Sequence, residues 1–300
     1  MRKTSAVVAL GMFDGVHMGH RKLLFEAKRM AEELGAIPVA QTFSNNPQTV
    51  FKKSPPVLTL PEEKKELIES LGLTVDMEPF TIEIAHTSPE NYLELLTEKY
   101  DLLGIVAGFN YRFGKDRAGN AEFLIKEGER RGFRVSILEP VIFRGKPVSS
   151  TRIRQSILRG DISCANEMLT APFFYTGIVQ PRKHIGHTLG YPTANIIPAG
   201  KILPPFGVYS AVTEYDGITR DAVINIGVRP TVDESETPVI TIESHLIDHS
   251  GEELYGKKLT VKLIDFIRAE RRFQSKEALA EQIGKDLTFA KKTLAAYSAK

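Results

Sequence analysis

The amino-acid sequence predicts an α/β domain built on a doubly wound parallel sheet, followed by an antiparallel β-barrel closed by a terminal helix. Three observations carry this expectation. The chain has 300 residues, about two domains' worth. In its first half, apolar runs alternate with segments of helical period. Beyond Leu169 the helices give way to short runs of β-branched and aromatic residues separated by turn-formers.

Taken in order, Val7-Val8-Ala9-Leu10, ended by Gly11, reads as a buried strand. Leu23, Leu24, Ala27, Ala31 and Leu34 follow helical spacing over Gly19 to Leu34, and Gly35 stands where a helix stops. Ile37 to Phe43 is the next strand, cut off by Ser44-Asn45-Asn46-Pro47. Pro61 to Leu71 is a helix with Pro at its start and Gly72 beyond its end. Ser88 caps another that begins at Pro89. Leu102 to Phe109 is a central-strand candidate, Asn120 to Arg131 a helix and Phe133 to Leu138 a strand. Strands separated by helices imply a parallel sheet, which binds ligands in the loops beyond the carboxyl ends of its strands.

Asp161 to Leu169 is a last short helix, and Ala171-Pro172 makes a joint, giving domains 1–172 and 173–300. Strands follow at Tyr175 to Val179, Gly207 to Glu214, Ile218 to Ile226, Val239 to Ile247 and Leu259 to Phe266, with hairpin-like Asp216-Gly217 and Ser250-Gly251 between them. From Ser275 an amphipathic helix, apolar at Leu279, Ile283, Leu287, Ala290 and Leu294, covers one face of the barrel.

Composition narrows the function. The chain is 42% hydrophobic and 25% charged, an ordinary globular balance, and its net charge of +2 argues against a chain that coats nucleic acid. The single Cys164 excludes a disulfide framework and a thiolate metal site. Met1-Arg2-Lys3-Thr4 runs into an apolar stretch too short for a signal peptide, and no stretch approaches the ~20 residues of a membrane span. The expectation is a soluble, cytoplasmic protein with no membrane partner; a homo-oligomer stays open.

Two constellations carry the chemistry. Gly11-Met12-Phe13-Asp14-Gly15-Val16-His17-Met18-Gly19-His20 falls between the first strand and the first helix, where glycines allow a sharp turn and the helix start favours phosphate. Taken alone, its histidines would merely cap or pack. The string matches neither the dinucleotide fingerprint nor the phosphate-loop pattern. Ser149-Ser150-Thr151-Arg152-Ile153-Arg154 adds hydroxyls and guanidiniums at a helix start, suited to phosphate oxygens or equally to a solvated N-cap. Gly108-Phe109-Asn110-Tyr111-Arg112-Phe113-Gly114 brings aromatics and an arginine to the same sheet edge. In the second half, Gly186-His187-Thr188-Leu189-Gly190-Tyr191-Pro192-Thr193-Ala194-Asn195 is a glycine-bearing loop with hard oxygen donors, or else a turn before a strand. Alternation puts Glu243 on one face with His245, opposite Ile242 and Ser244.

These strings resemble the bacterial bifunctional riboflavin kinase/FMN adenylyltransferase family, also called FAD synthetase, over nearly the whole chain. The resemblance implies an HxGH nucleotidyltransferase-like Rossmann domain that transfers adenylyl from ATP to FMN, giving FAD and pyrophosphate, and a riboflavin kinase barrel that makes FMN. It implies ATP and Mg²⁺ at each site, with riboflavin, FMN and FAD as substrates and products. By resemblance His17 and His20 contact the phosphates of ATP, among Gly11, Phe13, Asp14, Gly15 and Gly19, while Ser150, Thr151, Arg152 and Arg154 bind the pyrophosphate end. Asn110, Arg112, Asn225 and Arg268 are implied flavin contacts. Gly186, Gly190 and Pro192 are implied at the kinase phosphates, Thr193 and Asn195 at the metal, and Glu243 as the base for the riboflavin hydroxyl. Three positions depart from the family pattern: Asn45-Asn46-Pro47 replaces Pro-His-Pro, Asn110 replaces Asp, and Gly186-His187 replaces Gly-Arg. The competing readings are a protein with only the kinase site working, a non-catalytic flavin-nucleotide or RNA-binding regulator using the arginines at 130, 131, 134, 144, 152, 154 and 159, and a metal hydrolase using His17 and His20.

Overall fold

The structure, a computed structural model, describes residues 3–50, 55–180, 193–229, 239–248 and 253–299. It divides into two compact units, Met1–Ser150 and Thr151–Lys300. No helix among the described residues is long and apolar enough to cross a membrane.

The first unit runs β1 (Ser5–Leu10), α1 (Met18–Leu34), β2 (Ile37–Phe43), α2 (Pro47–Val50), α3 (Pro61–Glu69), β3 (Thr74–Glu78), α4 (Ile82–His86), α5 (Pro89–Lys99), β4 (Asp101–Gly108), α6 (Ala121–Arg131) and β5 (Arg134–Leu138). A short hairpin of β6 (Ile142–Phe143) and β7 (Lys146–Pro147) ends it. The sheet is parallel in the order β3-β2-β1-β4-β5. Residues Ala6, Val8 and Leu10 of β1 pack into one core with Leu93 and Leu96 of α5 and Leu124 of α6. Val7 and Ala9 point the other way, against Leu24, Ala27 and Met30 of α1 and Ile68 of α3. A strand buried on both faces needs apolar residues at successive positions, which is why β1 reads as an unbroken apolar run. The caps are local. Gly35 ends α1 at φ 64°, Ser88 Oγ accepts from Asn91 N at 3.2 Å, and Asn120 Oδ1 accepts from Phe123 N at 2.8 Å. Strand order reverses between β1 and β4, so the loops leaving their carboxyl ends border the crevice where such sheets bind ligands.

Helix α7 (Ser150–Leu158) begins at the division, and the second unit continues through α8 (Ile162–Leu169), β8 (Phe174–Ile178), β9 (Thr193–Ile196), β10 (Gly207–Tyr215), β11 (Ile218–Arg229), β12 (Val239–Leu246), β13 (Lys258–Ala269) and α9 (Lys276–Ser298). Asn166 ties α8 to the strands: its Nδ2 donates to Leu263 O and its Oδ1 accepts from Phe173 N, both at 2.8 Å. The antiparallel sheet, ordered β8-β13-β10-β11-β12-β9, curls into a half-barrel. Its edges meet where Gln180 N, just past β8, donates to Asn195 O of β9 at 2.9 Å. Asp216 and Gly217 join β10 to β11 at φ 47° and 75°, the two positive values of a type I′ hairpin. Helix α9, capped by Ser275, lays Leu287, Ala290 and Leu294 on Val212 and Ile264, as its apolar stripe requires.

Several elements differ from the sequence reading, among them the short α2 and the β6–β7 hairpin, which it did not anticipate. Thr74–Glu78 forms β3 although charged residues alternate along it, because it is an edge strand whose Asp76 and Glu78 are held by Lys99 at 2.5 and 2.9 Å. Ile82–His86 forms the extra helix α4, capped by Thr81. Thr193–Asn195, weighed as a turn, belongs to β9, which pairs with β12. The expected Ser250-Gly251 turn lies outside the described residues.

Candidate active sites

The first constellation is the loop from β1 into α1. A side chain at Gly11 would meet the ring of Phe13 at 2.8 Å, and one at Gly19 would meet the His17 ring at 3.2 Å, so both glycines make room for neighbours. Phe13 is fully buried at φ 49° and stands edge-on to His20, ring centres 5.4 Å apart. His17 caps α1: its Nδ1 accepts from His20 N at 3.3 Å. The cap bond leaves the His17 proton on Nε2 in the neutral ring. The two imidazoles stack at 3.6 Å. Burial lowers the His17 pKa to about 4 and drives that of His20 well below the ordinary histidine range, with the neighbouring His17 and Lys64 adding to the second. At neutral pH both rings are uncharged N–H donors at the start of a helix. His20 Nδ1 is buried with no hydrogen-bond partner among the described residues.

Asp14 braces the loop from the side. Its Oδ1 accepts from Leu58 N at 2.9 Å and Thr59 N at 3.1 Å. Thr59 Oγ1 in turn accepts from Gly15 N at 3.0 Å. Ser150 Oγ donates to Asp14 O at 3.0 Å, bringing the two phosphate-type motifs together at this point. Farther into α7, Arg152 and Arg154 stand half-buried on either side of the buried Ile153, and Thr151 is exposed. Asn110 and Arg112 are exposed just past the carboxyl end of β4, while Tyr111 between them packs against Phe113 at 5.7 Å. Asn45 Oδ1 accepts from Phe80 N at 2.6 Å and its Nδ2 donates to Phe80 O at 3.0 Å, a two-point lock between the loop after β2 and the loop after β3.

Sequence reasoning missed Lys64, whose ammonium reaches this loop from α3. In Glu62-Glu63-Lys64-Lys65 a charge run reads as a solvated face; the overlooked signal is that Lys64 stands four residues before the buried Ile68. Thr59 was missed as well, and nothing in its local sequence distinguishes it.

In the second unit a cavity of about 680 Å³ opens on one face of the half-barrel. Strand register explains its lining. Arg268 pairs with Val208, Val208 with Asn225, Asn225 with Glu243, and Glu243 with Asn195, one row across five strands. Directly paired residues share a face. His245 pairs with Thr193 in the adjoining row and lines the same cavity. Ile242 and Ser244 are fully buried on the opposite face, as alternation required. Arg268 is committed to the terminal helix: its Nε lies 3.0 Å from both Asp286 oxygens, and its Nη2 donates to Oδ2 at 2.8 Å. Asn225 Nδ2 donates to Glu270 Oε1 at 3.0 Å, and Gly227 leaves the space that this carboxylate fills. Glu270 and Asp286 carry the lining chemistry that the sequence reading did not assign. Gly186, Gly190 and Pro192 lie outside the described residues. Thr193 lines the cavity with its hydroxyl, while Asn195 is buried beside it, its Nδ2 donating to Thr193 O at 3.4 Å; a hydroxyl and an amide carbonyl are hard donors of the kind that fit Mg²⁺. Among the described residues no group of three or more His, Cys, Asp or Glu side chains is placed to hold a metal ion.

Comparison with known proteins gives a consistent result. The family model of FAD synthetase matches residues 1–152, and that of riboflavin kinase matches 169–294. The chain is 35% identical to the bifunctional riboflavin kinase/FMN adenylyltransferase of Bacillus subtilis (strain 168), covering 95% of this chain and 91% of that one. It is 32% identical to the protein of the same name from Escherichia coli (strain K12), over 93% and 90% of the two. A solved Streptococcus pneumoniae structure, described as a macrolide-efflux protein, superposes with a TM-score of 0.87 at 29% identity, covering 96% of this chain and 94% of the other. Two domain matches that together span most of the chain, and relatives aligned over nearly its full length, lead to one conclusion: the chain belongs to the bifunctional riboflavin kinase/FMN adenylyltransferase family.

Proposed function

We propose that this chain converts riboflavin to FMN in its C-terminal domain and FMN to FAD in its N-terminal domain, with ATP as donor in both steps. The observation that carries the reading is the pairing of each family match with a unit whose motif residues stand where its fold binds ligands. We take residues 1–172 as the adenylyltransferase domain and 173–300 as the kinase domain.

In the adenylyl step an FMN phosphate oxygen attacks the α-phosphorus of ATP, the bond to the bridging oxygen breaks, and pyrophosphate leaves. Such a displacement needs alignment and positive potential more than covalent help. The uncharged rings of His17 and His20 donate hydrogen bonds to the phosphates at the start of α1, while Ser150, Thr151, Arg152 and Arg154 hold the departing pyrophosphate. Gly11, Phe13, Asp14, Gly15 and Gly19 shape the loop, and Asn110 and Arg112 face the flavin nucleotide.

In the kinase step Glu243 takes the proton of the riboflavin terminal hydroxyl as its oxygen attacks the γ-phosphorus, and ADP leaves. Asn225 and Glu270 position the flavin side, and Arg268 acts through its ion pair with Asp286, fixing the cavity wall. By the family resemblance Gly186, Gly190 and Pro192 are assigned to the ATP phosphates of this step. Thr193 and Asn195 would hold Mg²⁺, which when bound neutralises the charge of the transferred phosphate. The need for ATP in both steps supports a cytoplasmic location.

The test is chromatography of products after incubation with riboflavin, ATP and Mg²⁺. FAD supports both activities, FMN alone leaves only the kinase, and neither product sinks the reading.

A further inference from the structure

We propose that Lys64 is a positioning residue for adenylyl transfer, a buried cation that pins the β1–α1 loop and supplies positive potential beneath the triphosphate. The inference rests on the adenylyltransferase reading of the first unit. Lys64 is only 5% exposed. Its Nζ donates to Met12 O at 3.2 Å, Thr42 Oγ1 at 3.2 Å and Phe43 O at 2.5 Å. Thr42 Oγ1 also donates to Met12 O, at 3.1 Å. One ammonium therefore joins the carboxyl ends of β1 and β2 at the root of the loop that carries His17 and His20.

All three acceptors are neutral, so the ammonium keeps its net charge. Among the described residues, the partners of the ammonium are those three oxygens and include no carboxylate. Asp14 attracts it from the loop, but its Oδ1 is bound to Leu58 N and Thr59 N. Glu63, on its own helix, accepts from Leu60 N at 2.9 Å. His17 and His20 on α1 are uncharged, and the field of Lys64 helps to keep His20 so. Burying an unneutralised cation is costly for a fold. Three neutral oxygens could be joined more cheaply by an uncharged donor. The charge makes sense where a polyanion completes it, and the loop above is the start of a helix shaped for phosphate. Burial lowers the pKa of Lys64 to about 8, so the unliganded loop loses its cation just above neutrality.

The experiment measures FAD formation from supplied FMN and FMN formation from riboflavin, each on the full chain, from neutrality to well above pH 8. Wild type should lose FAD formation through about pH 8 and keep FMN formation. Lys64→Met should lower kcat for FAD formation ~10-fold or more and raise KM for ATP, leave the kinase unchanged, and lack the alkaline fall. Lys64→Arg, bulkier but charged, should retain more FAD formation than Lys64→Met. A Met variant with wild-type kcat, the same alkaline fall in that variant, or Met outperforming Arg would overturn the proposal. Should the Met variant fail to fold, Lys64→Gln and Lys64→Arg decide: Gln matching Arg in FAD formation overturns the proposal, and Arg retaining several-fold more supports it. A wild-type chain that makes no FAD at all removes the functional reading first, whereas FAD made equally by wild type and Lys64→Met removes only this inference.

Discussion

Two neutral imidazoles and one glutamate divide the proposed chemistry. His20→Ala should reduce FAD formation from supplied FMN ~100-fold while riboflavin phosphorylation continues, because only the first site loses a phosphate donor. Glu243→Gln keeps the shape of the cavity row and removes the base, so FMN formation should fall ~100-fold or more with FAD formation from supplied FMN intact. Equal losses of both reactions in either variant, at normal stability, would break the division of labour. The histidines also set a pH dependence of stability. The folded pKa of His17, lowered by burial from 6.5 to about 4, lies below its unfolded value. Between those values the unfolded chain binds the extra proton, so stability falls as the pH drops, by about 3 kcal/mol over the interval. Urea unfolding of the first unit at neutral pH and near pH 5 would measure it, and equal midpoints would contradict it. At this scale the motif residues were legible because glycine, histidine and proline stand out at a strand–helix junction. Lys64, Glu270 and Asp286 were not: a charged side chain turned inward looks in sequence like one turned outward, and only tertiary packing decides.

Elements follow the same division between local and distant causes. Helices α1, α6 and α8 were readable to within a residue or two at both ends, and α5 and α9 at their starts, since their caps and apolar stripes are written within each segment. The Asp216-Gly217 hairpin was readable too, because two positive φ angles demand those residues. Strands β3 and β9 owe their existence to neighbours far away in sequence: β3 to the register of β2, β9 to that of β12. Their own residues, acidic in one and turn-forming in the other, argued against them. Helix α9 offers a test of packing. Leu294 is fully buried against the half-barrel. Leu294→Ala should therefore cost about 2–5 kcal/mol, read as a lowered unfolding midpoint of the second unit with the first unchanged.

The whole molecule is two folds of different class on one chain, and that contrast was visible as a change of pattern beyond Leu169. The two candidate sites share no residue, which makes a mixing experiment decisive. Neither His20→Ala nor Glu243→Gln alone should yield FAD from riboflavin at the normal rate. An equimolar mixture of the two chains should restore it, FMN made by one passing through solution to the other. No recovery in the mixture would mean that the intermediate does not leave the chain on which it forms. Gly227 carries a different consequence, for descent rather than chemistry. A methyl group there would meet the carboxylate of Glu270, the free-swinging end of an exposed side chain, and push it off Asn225 without disturbing the strand. Lineages that exchange the glycine should keep the fold and lose only the Asn225–Glu270 bond, so the two positions need not change together.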